Sequence, residues 1–133
     1  MKRHAALLQH SREHHYGLKL ARLARFAVDS GSPEAIAEAA QTIVEQFAEK
    51  LEPHFQSEEQ GLLVELAAIG QHELVQRTLD EHAQMRELNR RLASDPEDAA
   101  TLSAFATLLH DHVRFEEREL FETAQDLLYP EAC

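Results

Sequence analysis

The sequence predicts an all-α fold, an up-down-up-down antiparallel four-helix bundle. Three observations point there. Four Gly and four Pro in 133 residues are too few for the frequent turns of a β-sandwich or barrel. Between well-separated turn signals lie four segments rich in Ala, Leu, Glu, Gln and Arg, all good helix formers. Apolar residues within them recur at intervals of three and four. The length suits one domain over 1–133, and a 44% hydrophobic content suffices for one core.

The first helix is expected over 5–29. Asp29-Ser30-Gly31-Ser32-Pro33-Glu34 stops it and starts the second, with Ser32 as cap, Pro33 in the first turn and Glu34 complementing the helix dipole. The second, 33–69, carries Ile36, Ala40, Ile43, Phe47 and Leu51 on one stripe and ends at Gly70. Pro53 falls inside it. The three-four spacing continues to Glu58 and Leu62, so a kinked continuous helix is expected rather than a stop. The third, 71–93, shows Leu74, Leu79, Met85, Leu88 and Leu92. Ser94-Asp95-Pro96-Glu97-Asp98 repeats the cap, Pro, acid pattern and opens the fourth, 96–128, with Leu102, Phe105, Leu109 and Val113; Pro130 ends it. Short connections favour antiparallel neighbours.

Thirteen Lys and Arg against 24 Asp and Glu give a net charge of −11. Such a chain lacks the electrostatic footprint for phosphate backbones or anionic membranes, so neither nucleic acid nor membrane is an expected partner. Leu62–Ile69, the richest apolar stretch, is too short to span a bilayer, and no apolar run follows Met1-Lys2-Arg3 to make a signal sequence. A single cysteine, Cys133, forms no disulfide within the chain and suits a cytoplasmic setting; it reads as a terminal thiol.

Nine histidines stand out. Residues 54–63, HFQSEEQGLL, repeat at 112–121 as HVRFEERELF: His, apolar, two variable, Glu-Glu, two variable, Leu, apolar. His54 and Glu58 share a helix face at i,i+4, as do His112 and Glu116. A weaker echo pairs REHHYGLKL (12–20) with DEHAQMREL (80–88), matching His14 to His82. The chain reads as two helical hairpins, each a Glu-His helix followed by a His-x-x-x-Glu helix. At about 1.5 Å per residue, the four histidines fall at similar depth, within roughly one and a half turns. Two unpaired glutamates in a bundle interior would be strongly destabilising; a divalent cation neutralises them and fills the imidazole lone pairs. His and Glu without thiolate suit Fe, Mn or Zn, and bridging carboxylates suit a metal pair. The candidate ligands are His14, His54, Glu58, His82, His112 and Glu116. His15 adjoins His14 and could also face inward, but the echo favours His14. Glu117 competes with Glu116, which mirrors Glu58. Glu59, about 100° round the helix from Glu58, is expected to be a near-neutral control position. His4, His72 and His110 read as solvated and Met85 as core. The arginines Arg22, Arg25, Arg86, Arg90 and Arg91 read as a salt-bridged outer face. Phe47, Leu51, Leu79, Phe105, Leu109 and Phe115 are candidates for a dry wall around the site. No nucleophile triad, phosphate loop or CxxC is present, so any enzymatic role rests on the metal.

Over nearly its whole length the sequence resembles the hemerythrin-like family, the HHE cation-binding domain, in its bacterial single-domain form. The resemblance rests on His14, His54 with Glu58, His82, and His112 with Glu116, and on the opening SREHHYGLKLA. It implies a non-haem site of two Fe ions with bridging carboxylates and an oxo or hydroxo bridge. It implies binding of O2 or a related small ligand as carrier, store or sensor; alternatives are a diiron redox enzyme reducing peroxide or nitric oxide, or iron handling. Oxygen carriers of the family have His-x-x-x-His on the third helix, where this chain has Arg86 four residues after His82. The resemblance therefore leaves one iron a ligand short, a gap that His10, Glu59, Glu117 or water could fill.

Overall fold

The computed structural model describes residues 3–130. Cys133 lies outside them. Every regular element among the described residues is helical: α1 (Ala5–Ser30), α2 (Pro33–Gln46), α3 (Glu52–Gln60), α4 (Leu62–Ala68), α5 (His72–Ser94), α6 (Ala99–Phe115) and α7 (Phe121–Leu128). A wide π-helical turn, Phe47–Leu51, joins α2 to α3, and a second, Glu116–Leu120, joins α6 to α7. These elements make four rods: α1, then α2 to α4, then α5, then α6 with α7. α1 packs on α2 and α6, and α5 packs on the same two, closing a four-helix bundle. None of these helices is long and apolar enough to cross a membrane.

Local chemistry sets the rod ends. Gly31 stands at φ 68° and its N–H donates to Val28 O, a left-handed cap that a side chain would strain. Ser32 Oγ then accepts from Ala35 N at 3.2 Å, with Pro33 in the first turn of α2. The fourth rod starts at Ala99, three residues later than the Pro96 signal suggests. Asp98, not a residue ahead of Pro96, is the cap: its Oδ1 accepts from Thr101 N at 3.1 Å and its Oδ2 from Thr101 Oγ1 at 2.7 Å.

The second rod continues past Pro53, as its spacing predicts, but by a π turn. Glu52 N–H reaches back to Phe47 O, so the turn widens just before the residue that lacks an N–H. The rod is also less continuous than expected. Gly61 leaves the helical region at φ −118°, ψ −86°, separating α4 from α3.

Two apolar clusters fill the bundle. One gathers Ile43, Phe47, Leu51, Phe55, Met85, Leu92, Phe105 and Leu109; the other Leu7, Leu62, Leu66, Phe115, Leu120 and Phe121. Of the expected dry wall only Leu79 is half-buried; the rest is buried. A polar layer lies between the clusters.

Because Gly31 occupies a left-handed conformation, Gly31→Ala should lower stability by about 1 kcal/mol. Equilibrium urea unfolding would measure the change, and an unchanged midpoint would contradict the cap assignment.

Candidate metal centre

Each rod sends one imidazole into the polar layer: His14 from α1, His54 from α3, His82 from α5 and His112 from α6. Glu58 joins from α3 and Glu116 from the start of the second π turn. Burial here decides the chemistry. Glu58, Glu116 and His82 are 0% exposed, His112 1%, and His14 and His54 5%. Neither carboxylate meets water, so each needs compensation from within.

The imidazole Nε2 atoms converge on the two carboxylates. His14 Nε2 lies 2.7 Å from Glu116 Oε1, and His112 Nε2 lies 3.0 Å from Glu116 Oε2. His82 Nε2 lies 3.1 Å from Glu58 Oε1, and His54 Nε2 lies 3.4 Å from Glu58 Oε2. Two overlapping four-residue groups result: His14, His54, Glu58 and Glu116, and His82, His112, Glu58 and Glu116. Within each group the donor atoms all lie within 4.8 Å of one another. His54 Nε2, His112 Nε2, Glu58 Oε2 and Glu116 Oε2 are buried yet make no hydrogen bond. Four orphaned polar atoms around shared carboxylates are what a cation would satisfy, so the donor set fits a metal.

Behind each imidazole stands a second carboxylate. His54 Nδ1 donates to Glu13 at 2.7 Å, His82 Nδ1 to Glu59 at 2.7 Å, His112 Nδ1 to Glu81 at 2.6 Å and His14 Nδ1 to Glu117 at 2.6 Å. An ionised carboxylate only accepts, so Nδ1 carries a proton, and the inward Nε2 is the nitrogen left to take either a cation or a second proton. The ring planes are fixed further by Phe55 stacked on His82 at 4.0 Å and Phe121 on His14 at 5.2 Å.

The electrostatics tell the same story without a cation. Burial opposes a charge on His54 and His112, yet the carboxylates around them outweigh it and push these imidazoles up to about 11 and about 10. His14 is raised in the same way. Burial would raise Glu116, but His112, His14 and His54 hold it well below the usual carboxylate range. Glu117, despite burial, is held down to about 2 by His14, Ser11 and Arg3. The layer draws positive charge, and protons supply it where a metal does not.

The structure separates the alternatives the sequence leaves open. His14 enters the cluster while His15 is exposed, and Glu116 enters while Glu117 turns outward to His14 Nδ1. Glu59 is likewise outside, accepting from His82 Nδ1 and from Arg86 at 3.0 Å. Glu59 and Glu117 thus both face outer Nδ1 atoms, and Glu59 makes contacts to His82 and Arg86 that its position on the helical wheel does not suggest. His10 sits beside His54, ring centroids 5.4 Å apart, with its Nδ1 buried, making no hydrogen bond and standing 4.0 Å from Glu13 Oε1. His72 and His110 are exposed as expected. His4 is not merely solvated: its Nδ1 accepts from Ala6 N at 3.0 Å and its ring stacks on Tyr129 at 4.2 Å. The four outer acids were the residues that sequence reasoning did not assign. Their signal was present, an acid directly before His14 and His82 and a second Glu in each Glu-Glu pair.

Comparison with curated proteins and with solved structures gives no match. A family model, the hemerythrin HHE cation binding domain, matches residues 6–124. That span reaches into all four rods and holds all six inward donors and all four outer acids, and the chain belongs to the hemerythrin family.

Proposed function

We propose that the chain is a non-haem diiron protein that binds O2 or a related small ligand. The observation that carries this reading is the set of inward donors, two imidazoles per metal position around two shared, buried carboxylates. His14 and His54 would hold one iron, His82 and His112 the other, and Glu58 and Glu116 would bridge them. Iron held by such N and O donors supplies reversible O2 binding or one-electron redox chemistry. Mn or Zn shares the donor preference, and metal analysis distinguishes them.

The chain's own residues favour one side for the small ligand. A cavity of about 10 Å³, room for one water-sized species, lies among His14, Gly17, His54, Leu109, His112 and Val113. Gly17 helps keep it open: a Cβ there would stand 3.7 Å from both Leu109 Cδ1 and Val113 Cγ2. In the matching register of the other hairpin the residue is Met85, fully buried. Space is thus left beside His14 and His54 and filled beside His82. The apolar clusters above and below limit the entry of water.

A redox-enzyme reading, reduction of peroxide or nitric oxide, has one observation in its favour. The two four-residue groups offer identical donor types, so neither position carries the extra histidine of the oxygen carriers. Steady-state consumption of peroxide or nitric oxide with an electron donor would support turnover; reversible, stoichiometric O2 uptake would support carriage.

Protein loaded anaerobically with Fe(II) should hold two irons per chain. Glu58→Gln should lose at least one, because an amide cannot bridge two cations or offset their charge. His54→Ala and His112→Ala should behave alike. Glu59→Gln should keep the fold and weaken metal binding by about tenfold through His82. Full metal retention in Glu58→Gln would sink the assignment of Glu58 as a bridge.

Filling the cavity separates ligand binding from metal binding. Gly17→Ala should keep both irons, gain up to about 1 kcal/mol in stability from better helix propensity, and weaken azide or O2 binding. Overpacking of the ligand-bound state typically costs about 1–3 kcal/mol, roughly five- to 150-fold in affinity. Unaltered ligand affinity in an optical titration would place the ligand elsewhere.

Metal-free and metal-loaded protein should differ in pH dependence. In the metal-free chain the raised histidines bind more protons folded than unfolded, so their contribution is full below the unfolded value of 6.5 and is lost as pH rises towards about 10 and about 11. The depressed Glu116 acts oppositely, its contribution lost as pH falls below the ordinary 4.5. Thermal unfolding of metal-free protein should therefore weaken from neutral to alkaline pH. Fe(II) uptake near neutrality should release protons, measurable as a buffer-dependent calorimetric enthalpy.

A further inference from the structure

A groove of about 410 Å³ runs between α1 and α6 on the outside of the bundle. Its floor is apolar, made by Leu18 and Ala21 of α1 and Ala106 of α6, and its rim carries Arg22, Arg25 and Arg114. It shares no residue with the metal cluster or with the small cavity beside Gly17.

Five of the ten arginines find a carboxylate among the described residues; Arg22, Arg25 and Arg114 do not, nor do Arg12 and Arg118 outside the groove. Arg3, Arg77, Arg86, Arg90 and Arg91 each lie within ion-pair distance of at least one glutamate. The expectation of a salt-bridged face thus holds for Arg86, Arg90 and Arg91 but not for Arg22 and Arg25. Arg25 is held by neutral acceptors, donating to Ser103 Oγ at 2.9 Å, Thr107 Oγ1 at 2.7 Å and Ser103 O at 3.3 Å. Arg22 and Arg114 are exposed, and neither lies in an ion pair or hydrogen bond among the described residues. The groove's one acid, Asp111, lies 3.1 Å from its neighbour His110. In a chain with nearly twice as many acids as bases, three arginines against a single carboxylate, Asp111, around one apolar floor leave the groove with an excess of positive charge.

We propose that this groove binds a small organic anion, a carboxylate or phosphate monoester carried on an apolar body. The volume falls in the range of small-molecule sites, about 300–1,000 Å³. The apolar body would cover Leu18, Ala21 and Ala106, excluding water from the floor. The headgroup would meet Arg22 and Arg114, whose planar guanidinium groups match the two oxygens of a carboxylate or phosphate. Arg25, already fixed on Ser103 and Thr107, adds a preorganised positive charge at little further entropic cost. The acidic field of the whole chain repels anions at long range, so recognition depends on these contacts and falls with added salt.

Isothermal titration of iron-loaded protein with octanoate, octyl phosphate, octanol and inorganic phosphate tests this. Octanoate or octyl phosphate should bind saturably at one site per chain, and whichever binds more tightly identifies the headgroup. Octanol, lacking the charge, and inorganic phosphate, lacking the body, should each bind at least about tenfold more weakly. The double variant Arg22→Gln, Arg114→Gln should lose about tenfold or more in affinity for the preferred anion. Its iron content and thermal midpoint should stay at the parent values, since both side chains are solvent-exposed. Absence of saturable anion binding, equal binding of octanol, or an unchanged affinity in the double variant would overturn the proposal.

Discussion

Two carboxylates with no access to water dictate much of this molecule. Glu58 and Glu116 lie at the centre of the bundle, where an unpaired charge costs several kcal/mol even after relaxation. Four imidazoles surround them, and each imidazole is turned by an acid from an adjacent rod. Glu13 of the first rod reaches His54 of the second, Glu59 of the second reaches His82 of the third, Glu81 of the third reaches His112 of the fourth, and Glu117 of the fourth returns to His14 of the first. The outer contacts form a closed ring that follows the chain. A rod displaced along its axis would break two members of that ring, so polar pairing adds a register that the surrounding apolar clusters alone would leave loose.

The ring has an internal two-fold character, because the two hairpins repeat each other. Its exceptions are informative. Gly17 matches Met85, so one half keeps a small cavity that the other fills. His10 matches Thr78, whose hydroxyl is spent on Leu74 O at 2.8 Å, whereas His10 Nδ1 is buried without a hydrogen bond. Leu18 matches Arg86, which grips Glu52 and Glu59 at 2.8 and 3.0 Å. Arg86 therefore does not leave a hole where carriers place a histidine; it braces the acid that orients His82. The inner donors are equivalent in type while their surroundings are not. Such an arrangement can give two similar metal positions different access and different electrostatics.

Much of this was legible in the sequence because it is local. Caps such as Ser32, the left-handed Gly31 and the i,i+4 pairs His54–Glu58 and His112–Glu116 depend on neighbours within a turn or so. The internal repeat aligned His14 with His82 and favoured Glu116 over Glu117. What escaped depends on contacts between rods. The role of Glu59 is set by His82 and Arg86 on α5, so its position on the helical wheel suggested neutrality. The π turn after Phe115 inserts a residue that no propensity marks, and Gly61 interrupts the second rod where spacing alone suggested continuity. The late start of α6 turned on which acid reached Thr101. Arginine pairing was equally hidden, since Arg22, Arg25 and Arg86 look alike in sequence and differ only in which acids the fold brings to them.

The acid count of the chain bears on function in two different ways. Glu13, Glu58, Glu59, Glu81, Glu116 and Glu117 are committed to the histidine layer, and Arg3, Arg77 and Arg86 further offset Glu117, Glu81 and Glu59 from outside. A substantial part of the formal charge of −11 is thus structural and balanced nearby. Net charge describes the far field, which is screened beyond roughly 8–10 Å at ordinary ionic strength. Contact recognition depends on which charges remain unpaired after folding. By that measure the molecule has an inward face that calls for cations and an outward groove whose arginines call for an anion. Neither is visible in the total, because the total adds charges that the fold has already paired.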